Sequence, residues 1–242
     1  PPYAEASNAR TTTGTGENRA GLSKSRISEK YEKELGKAIN ELFAQFLIRA
    51  SAEIQCCKVA HFATLKALCA SNFAKFRECF RAKLEKSFIV PANTFDNVKG
   101  EFPIGFFIWD AETEEIFKET VTDIYSANND FIGTKTLFAA EKGNLIIDWF
   151  RKFYDQKGNA LAYLTVIGTD IQHTKYVNIS SKLAENDFKK HMFAVVTKKN
   201  ILPVCIYFAV RFCIEHTWLN DRDQFLFPRD GWQDDREFQG DC

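Results

Sequence analysis

Residues 87–110 read SFIVPANTFDNVKGEFPIGFFIWD, and this stretch constrains the fold more than any other. Two apolar runs, SFIVPA and FPIGFFIWD, flank a polar segment rich in turn-forming residues. Short apolar runs bounded by Asn, Asp and Gly are the pattern of buried β-strands. The expectation is two core strands joined through NTFDNVKGE, the second ending at Asp110. KVAHFATL, from Lys58 to Leu65, reads as a further buried strand. No apolar run approaches the ~20 residues that a membrane span requires.

One helical period precedes these strands and another lies between them. Leu35, Ile39, Leu42, Phe43, Phe46, Leu47 and Ala50 recur at three- and four-residue steps, the spacing of one apolar face on a long helix starting near Glu29. SNFAKFRECFRAKLEKSF offers Ser71 or Asn72 as N-cap and puts Phe73, Phe76, Phe80 and Leu84 on one face. The first 110 residues therefore alternate helix and strand.

Beyond Asp110 the character shifts. FKETVTDIY and FIGTKTLF flank SANND, a β-hairpin signal. NLIIDWFRKFY reads as a short amphipathic helix and ALAYLTVIG as a strand. ILPVCIYFAVRFCIEHTWL is apolar apart from Arg211 and Glu215, so a buried helix is expected, with Pro203 in its first turn where a missing N–H is harmless. The remainder, NDRDQFLFPRDGWQDDREFQGDC, has no clear period. These patterns imply an α/β fold with a boundary near residue 111 and a mixed α+β extension over residues 111–242.

Charge excludes little. Lys plus Arg equals Asp plus Glu at 32 each, so any nucleic-acid surface must come from the placement of charge. Seven Cys without paired CxxC spacing read as buried thiols in a reducing cytoplasm. His61, His173, His191 and His216 show no ligand spacing for zinc. Asp221, Asp223, Asp230, Asp234, Asp235, Glu237 and Asp241 crowd one end, which keeps a Mg²⁺-dependent nuclease open as an alternative to a plain solvated acidic surface.

At the other end, Pro1-Pro2-Tyr3 precedes a polar stretch. Residues 7–30 lack an apolar period and read as a mobile loop. The TGTG within it lacks the glycine spacing and the Lys-Ser/Thr ending of a phosphate loop.

The order Pro-Pro-Tyr, loop, helix, KVAHFATL, NFAKFR, SFIVPANTF, FPIGFFIWD resembles the second half of an N6-adenine DNA methyltransferase. That family carries an Asn/Asp-Pro-Pro-Tyr/Phe tetrapeptide at the end of its fourth strand, followed by a helix, the fifth strand, a helix with an FR element and two final strands. The resemblance covers residues 1–110 and implies the fourth-to-seventh-strand half of a Rossmann-like methyltransferase sheet. It also implies a double-stranded DNA substrate within a restriction-modification system and S-adenosylmethionine as methyl donor; with no apolar run long enough for a membrane span, no membrane partner is expected.

The implied chemistry is one of positioning. Adenine N6 is a poor nucleophile because its lone pair is delocalised into the ring. Hydrogen bonds from both N6 hydrogens pull it toward tetrahedral geometry, without a charged base. By resemblance the Pro1 carbonyl is one acceptor, Pro2 fixes the backbone direction, and Tyr3 stacks on the adenine once it is flipped from the duplex. Phe95 matches the aromatic expected on the base's other face, or is an ordinary core ring; Lys99 is a phosphate contact nearby. The basic residues Arg10, Arg19, Lys24 and Arg26 suit a loop that orders on DNA. The family's glycine-rich donor turn has no counterpart here and is expected upstream of Pro1, leaving an unpaired sheet edge. A non-catalytic DNA-recognition or assembly subunit, using residues 111–242, is the alternative.

Overall fold

The structure is a computed structural model. It describes residues 25–54, 56–96, 98, 100, 102–141, 143–165, 170–183, 193–226, 231 and 233–241, with only the backbone of Phe238 and Asp241. Pro1, Pro2, Tyr3 and Lys99 lie outside the described residues. The chain divides into two compact units between Ala140 and Glu141.

In the first unit, α1 (Arg26–Leu35) starts where Ser25 Oγ accepts the Ser28 N–H at 3.0 Å. Residues 26–30 of the expected loop are thus helical, and residues 7–24 lie outside the described residues. The expected single helix through Ala50 is also broken. Gly36 takes φ +55°, a left-handed geometry that Gly adopts readily, and caps α1. A 3₁₀ turn follows, then α2 (Leu42–Glu53). Gln45 locks the two helices together: its Nε2 donates to Ile39 O at 2.6 Å and its Oε1 accepts from Ser25 Oγ at 2.7 Å.

Next come β1 (Lys58–Thr64), the single turn α3 (Lys66–Cys69), α4 (Ala74–Cys79), β2 (Ala82–Pro91) and β3 (Pro103–Glu114). The helix expected to reach Leu84 ends at Cys79, because Leu84 pairs opposite Trp109 in the β2–β3 ladder. Neither Ser71 nor Asn72 caps it; both lie in a 3₁₀ turn. The hairpin is present as β4 (Glu119–Tyr125) and β5 (Phe131–Phe138).

These strands form one mixed sheet in the order β1-β3-β2-β4-β5. β3 runs antiparallel to both β1 and β2, and β2 pairs parallel with β4 through Phe88 opposite Asp123 and Ile89 opposite Ile124. β3 runs through residue 110 and the hairpin extends the same sheet, so a boundary at 111 does not match the compact units.

One sheet face carries the buried residues His61, Ala63, Ile89, Phe107, Trp109 and Ile124. Rings join it to the helices: Trp109 meets Phe80 at 5.1 Å, Phe80 meets Phe76 at 5.1 Å, and Phe73 stacks on Phe43 at 5.5 Å. Each such ring, removed from water, contributes ~1.5–3 kcal/mol. The opposite face is half-buried, with Phe62, Phe106 and Phe88 abreast on β1, β3 and β2.

The second unit contains α5 (Ile146–Phe150), β6 (Ala162–Thr165), β7 (Ile179–Ser180), β8 (Phe193–Val196), α6 (Ile201–Ala209) and α7 (Arg236–Asp241). Its sheet is antiparallel, in the order β7-β6-β8. Phe150 stacks on Tyr207 at 4.6 Å within its core. The expected buried helix from Ile201 is shorter than its apolar run, and Phe212 and Ile214 beyond it are exposed. Pro203 does lie in the first turn. Arg211, expected to be a polar exception, is fully buried; its guanidinium covers the rings of Tyr207 and Phe225 and donates to Tyr207 Oη at 2.7 Å.

Candidate functional site

In the first unit β1, β2 and β4 all run in the same direction, because β1 and β2 are each antiparallel to β3 and β4 is parallel to β2. Their carboxyl ends, Thr64, Pro91 and Tyr125, therefore share one end of the sheet. Ligand sites of open α/β sheets gather at such an end.

The loop that carries Phe95 leaves from there. Pro91 pairs opposite Pro103, and Ala92 N–H donates to Phe102 O at 2.8 Å, closing the loop at its base. A 3₁₀ turn over Ala92–Thr94 presents Phe95. The ring is half-buried and meets Phe62 edge-on, with centroids 5.2 Å apart and planes at 77°. Phe95 is thus neither a fully enclosed core residue nor a free one. Among the described residues its ring contact is with β1, one of the two outer strands of the sheet.

Two buried polar side chains stiffen the scaffold behind this end. On β1, His61 Nε2 accepts the Trp109 indole N–H at 3.2 Å, which requires an unprotonated Nε2, and burial pushes the imidazole below its ordinary value. Arg77, within the KFR run, is buried and bonds to carbonyls, with no carboxylate partner among the described residues. Its Nη1 donates to Ala67 O at 3.2 Å and Ala70 O at 2.9 Å, and its Nη2 to Ala140 O at 2.7 Å. One guanidinium so ties α3 and α4 to the end of β5.

The expectation of buried thiols needs correction. Of the described Cys only Cys69 is buried; Cys56 and Cys213 are exposed and Cys57, Cys79 and Cys205 half-exposed. Within the acidic stretch, Asp221 is committed to His216 at 2.9 Å and Arg222 at 3.2 Å. His173 pairs with Asp170. No three His, Cys, Asp or Glu side chains gather to hold a metal ion among the described residues. No helix among them is long and apolar enough to cross a membrane.

Sequence reasoning did not assign two features to this end of the sheet: Phe62, whose ring touches Phe95, and the hairpin turn at residues 126–130, which lies at the same end but on the β4–β5 side. The turn was legible as a turn. Its place at this end of the sheet depends on the parallel β2–β4 pairing, which leaves no local signature. Compared with protein-family models, curated proteins and solved structures, the chain finds no match.

Proposed function

We propose that this chain is the target-base half of a site-specific DNA adenine-N6 methyltransferase of a restriction-modification system, acting on double-stranded DNA in the cytoplasm. The observation that carries the reading is the position of β1. It is an outer strand, parallel to β2, with the Phe95 loop at its carboxyl end. A strand ending in the residue before Pro1 has a place beside β1, and Pro-Pro-Tyr at the end of that strand would stand next to Phe95. The element order from α1 to β3 agrees with the order that the resemblance implies.

On this reading Tyr3 and Phe95 cover the two faces of a flipped adenine, and the Pro1 carbonyl orients N6 by accepting one of its hydrogens. Lys99 neutralises a flanking phosphate. S-adenosylmethionine is the methyl donor, but the described residues do not fit it. The turn after β1, Thr64-Leu65-Lys66, contains no glycine and gives no cradle for it. On this reading the part of the described residues is to bind and orient the base.

The test uses two proteins: this chain, and the polypeptide that its reading frame encodes with any residues ahead of Pro1. The chain alone should show no S-adenosylmethionine binding by calorimetry. The longer polypeptide should place N6-methyladenine in plasmid DNA, detected by mass spectrometry, and Tyr3→Ala should lower the rate ten- to a hundredfold, in line with ~1–3 kcal/mol of stacking. DNA binding by the longer polypeptide without any N6-methyladenine would replace this reading with that of a recognition subunit.

A further inference from the structure

The β4–β5 hairpin ends at the same end of the sheet as the Phe95 loop, and a continuous row of rings joins the two. Phe95 meets Phe62 at 5.2 Å, Phe62 meets Phe88 at 6.0 Å, Phe88 meets Tyr125 at 5.9 Å, and Tyr125 meets Phe131 at 5.7 Å. The row crosses the half-buried sheet face and stops at the exposed Phe131, beside the hairpin turn.

The turn is pre-organised by its own backbone. Ser126 N–H donates to Asp130 O at 2.8 Å and Asn129 N–H to Ser126 O at 3.0 Å. Ser126 Oγ accepts the N–H groups of Asn128 and Asp130 at 3.2 and 3.1 Å. Asn129 sits at φ +68°, a left-handed geometry that Asn tolerates better than most residues. Asn128 and Asn129 are exposed at the tip, with the aromatic Phe131 and apolar Ile132 flanking them. Neutral amides and a ring on a rigid tip are suited to base edges in a groove. The acidic Asp123 and Asp130 nearby disfavour a role as a phosphate clamp.

We infer that the hairpin tip, through Asn128, Asn129 and Phe131, is a second arm of the DNA interface and contacts base pairs that flank the adenine held at Phe95, across the row of rings. This rests on the proposed function for the identity of the partner. The position of the arm rests on the strand pairing alone. The tip is the part of this end that determines which neighbouring sequence is accepted; the Phe95 loop serves the target base.

Phe138 supplies an internal control. It lies on the same strand, at the opposite end of the sheet, and is 59% exposed against 58% for Phe131. The photoreactive residue p-benzoylphenylalanine is introduced separately at positions 95, 131 and 138 of the 242-residue chain. Each protein is irradiated with a duplex pool carrying a randomised core, in low salt. The expected result is adducts at 95 and 131, at least tenfold above 138. Adducts at 95 with equal, background-level yields at 131 and 138 would overturn the second arm and leave the proposed function standing. No adduct above background at any of the three positions would overturn both. A companion experiment on the longer polypeptide selects preferred sites from the same pool. Asn128→Ala should relax the preference at one or two flanking base pairs, and an unchanged site profile would overturn the assignment of specificity to this tip.

Discussion

Arg77→Met tests whether the buried guanidinium holds the first unit together. Met fills a similar volume but donates nothing. Three carbonyls, those of Ala67, Ala70 and Ala140, lose their side-chain donor. The contact with Ala70 is only part-buried, so water can replace it; those with Ala67 and Ala140 are buried. Two dry unsatisfied acceptors at ~1–3 kcal/mol each give a loss of roughly 2–6 kcal/mol. Against this, burial disfavours the charged guanidinium, as the downward direction of its pKa shift records, and Met escapes that penalty. The net destabilisation expected is ~2–4 kcal/mol, a large part of the ~5–15 kcal/mol that a typical domain possesses. Urea unfolding of the full chain followed by circular dichroism measures it. Amide exchange should localise it, with opening in α3 and the end of β5 exceeding that in β3. Arg77→Lys keeps a charge but reaches fewer carbonyls, so it should fall between. A loss below ~1 kcal/mol for Met, or equal losses for Met and Lys, would show that the three hydrogen bonds do not carry the stability assigned to them.

Other perturbations address separate points. His61 is depressed in the folded state, so the unfolded chain takes up the proton first; stability should be flat above pH ~6.5 and fall as pH drops below it toward the folded value. His61→Gln, which keeps an acceptor for Trp109, should flatten that profile in pH-dependent urea titrations. Gly105→Ala places a methyl inside the ring of Phe107, which is fully buried and cannot swing away, so a loss of ~1–3 kcal/mol is expected by thermal melting. Phe95→Ala removes a half-buried ring with one ring contact and should cost only ~1–2 kcal/mol of stability. In the longer polypeptide the same change should slow methylation ten- to a hundredfold; a melt lowered by more than ~3 kcal/mol with normal turnover of the folded fraction would return Phe95 to the core.

What could be read from the sequence was whatever local chemistry decides. β1 and β3 were legible because buried strands are apolar runs closed by turn residues, and FPIGFFIWD has few other options. The hairpin was legible because SANND supplies the polar turn and an Asn able to take positive φ. Three kinds of information were hidden. The first is backbone geometry at a single residue: the three-four period runs on past Gly36, and only its left-handed φ shows that one helix is really two. The second is competition between local and distant pairing. Leu84 fits the helical face of Phe76 and Phe80, but pairing with Trp109 across the sheet wins because it satisfies the backbone and the side chain together. The third is buried charge. Arg211 is a polar exception in an apolar stretch and Arg77 one charge among several in its segment, yet one covers aromatic rings and the other caps carbonyls.

The placement of the hairpin depends on the second kind. Only two rungs, Phe88 with Asp123 and Ile89 with Ile124, connect β4 to β2, and neither pair is distinctive in the sequence. A boundary at residue 111 followed from the change of character there, from apolar runs to alternating polar strands. Alternation, however, records which faces are dry and not which strand lies alongside. Because the β2–β4 pairing is parallel and not antiparallel, Tyr125 and the turn after it lie at the same end of the sheet as the Phe95 loop. Antiparallel pairing would have sent the turn to the far end, where Phe138 lies. The direction of one short ladder thus decides which end of the sheet residues 126–130 occupy, and the crosslinking contrast between positions 131 and 138 tests whether that end is the one that meets DNA.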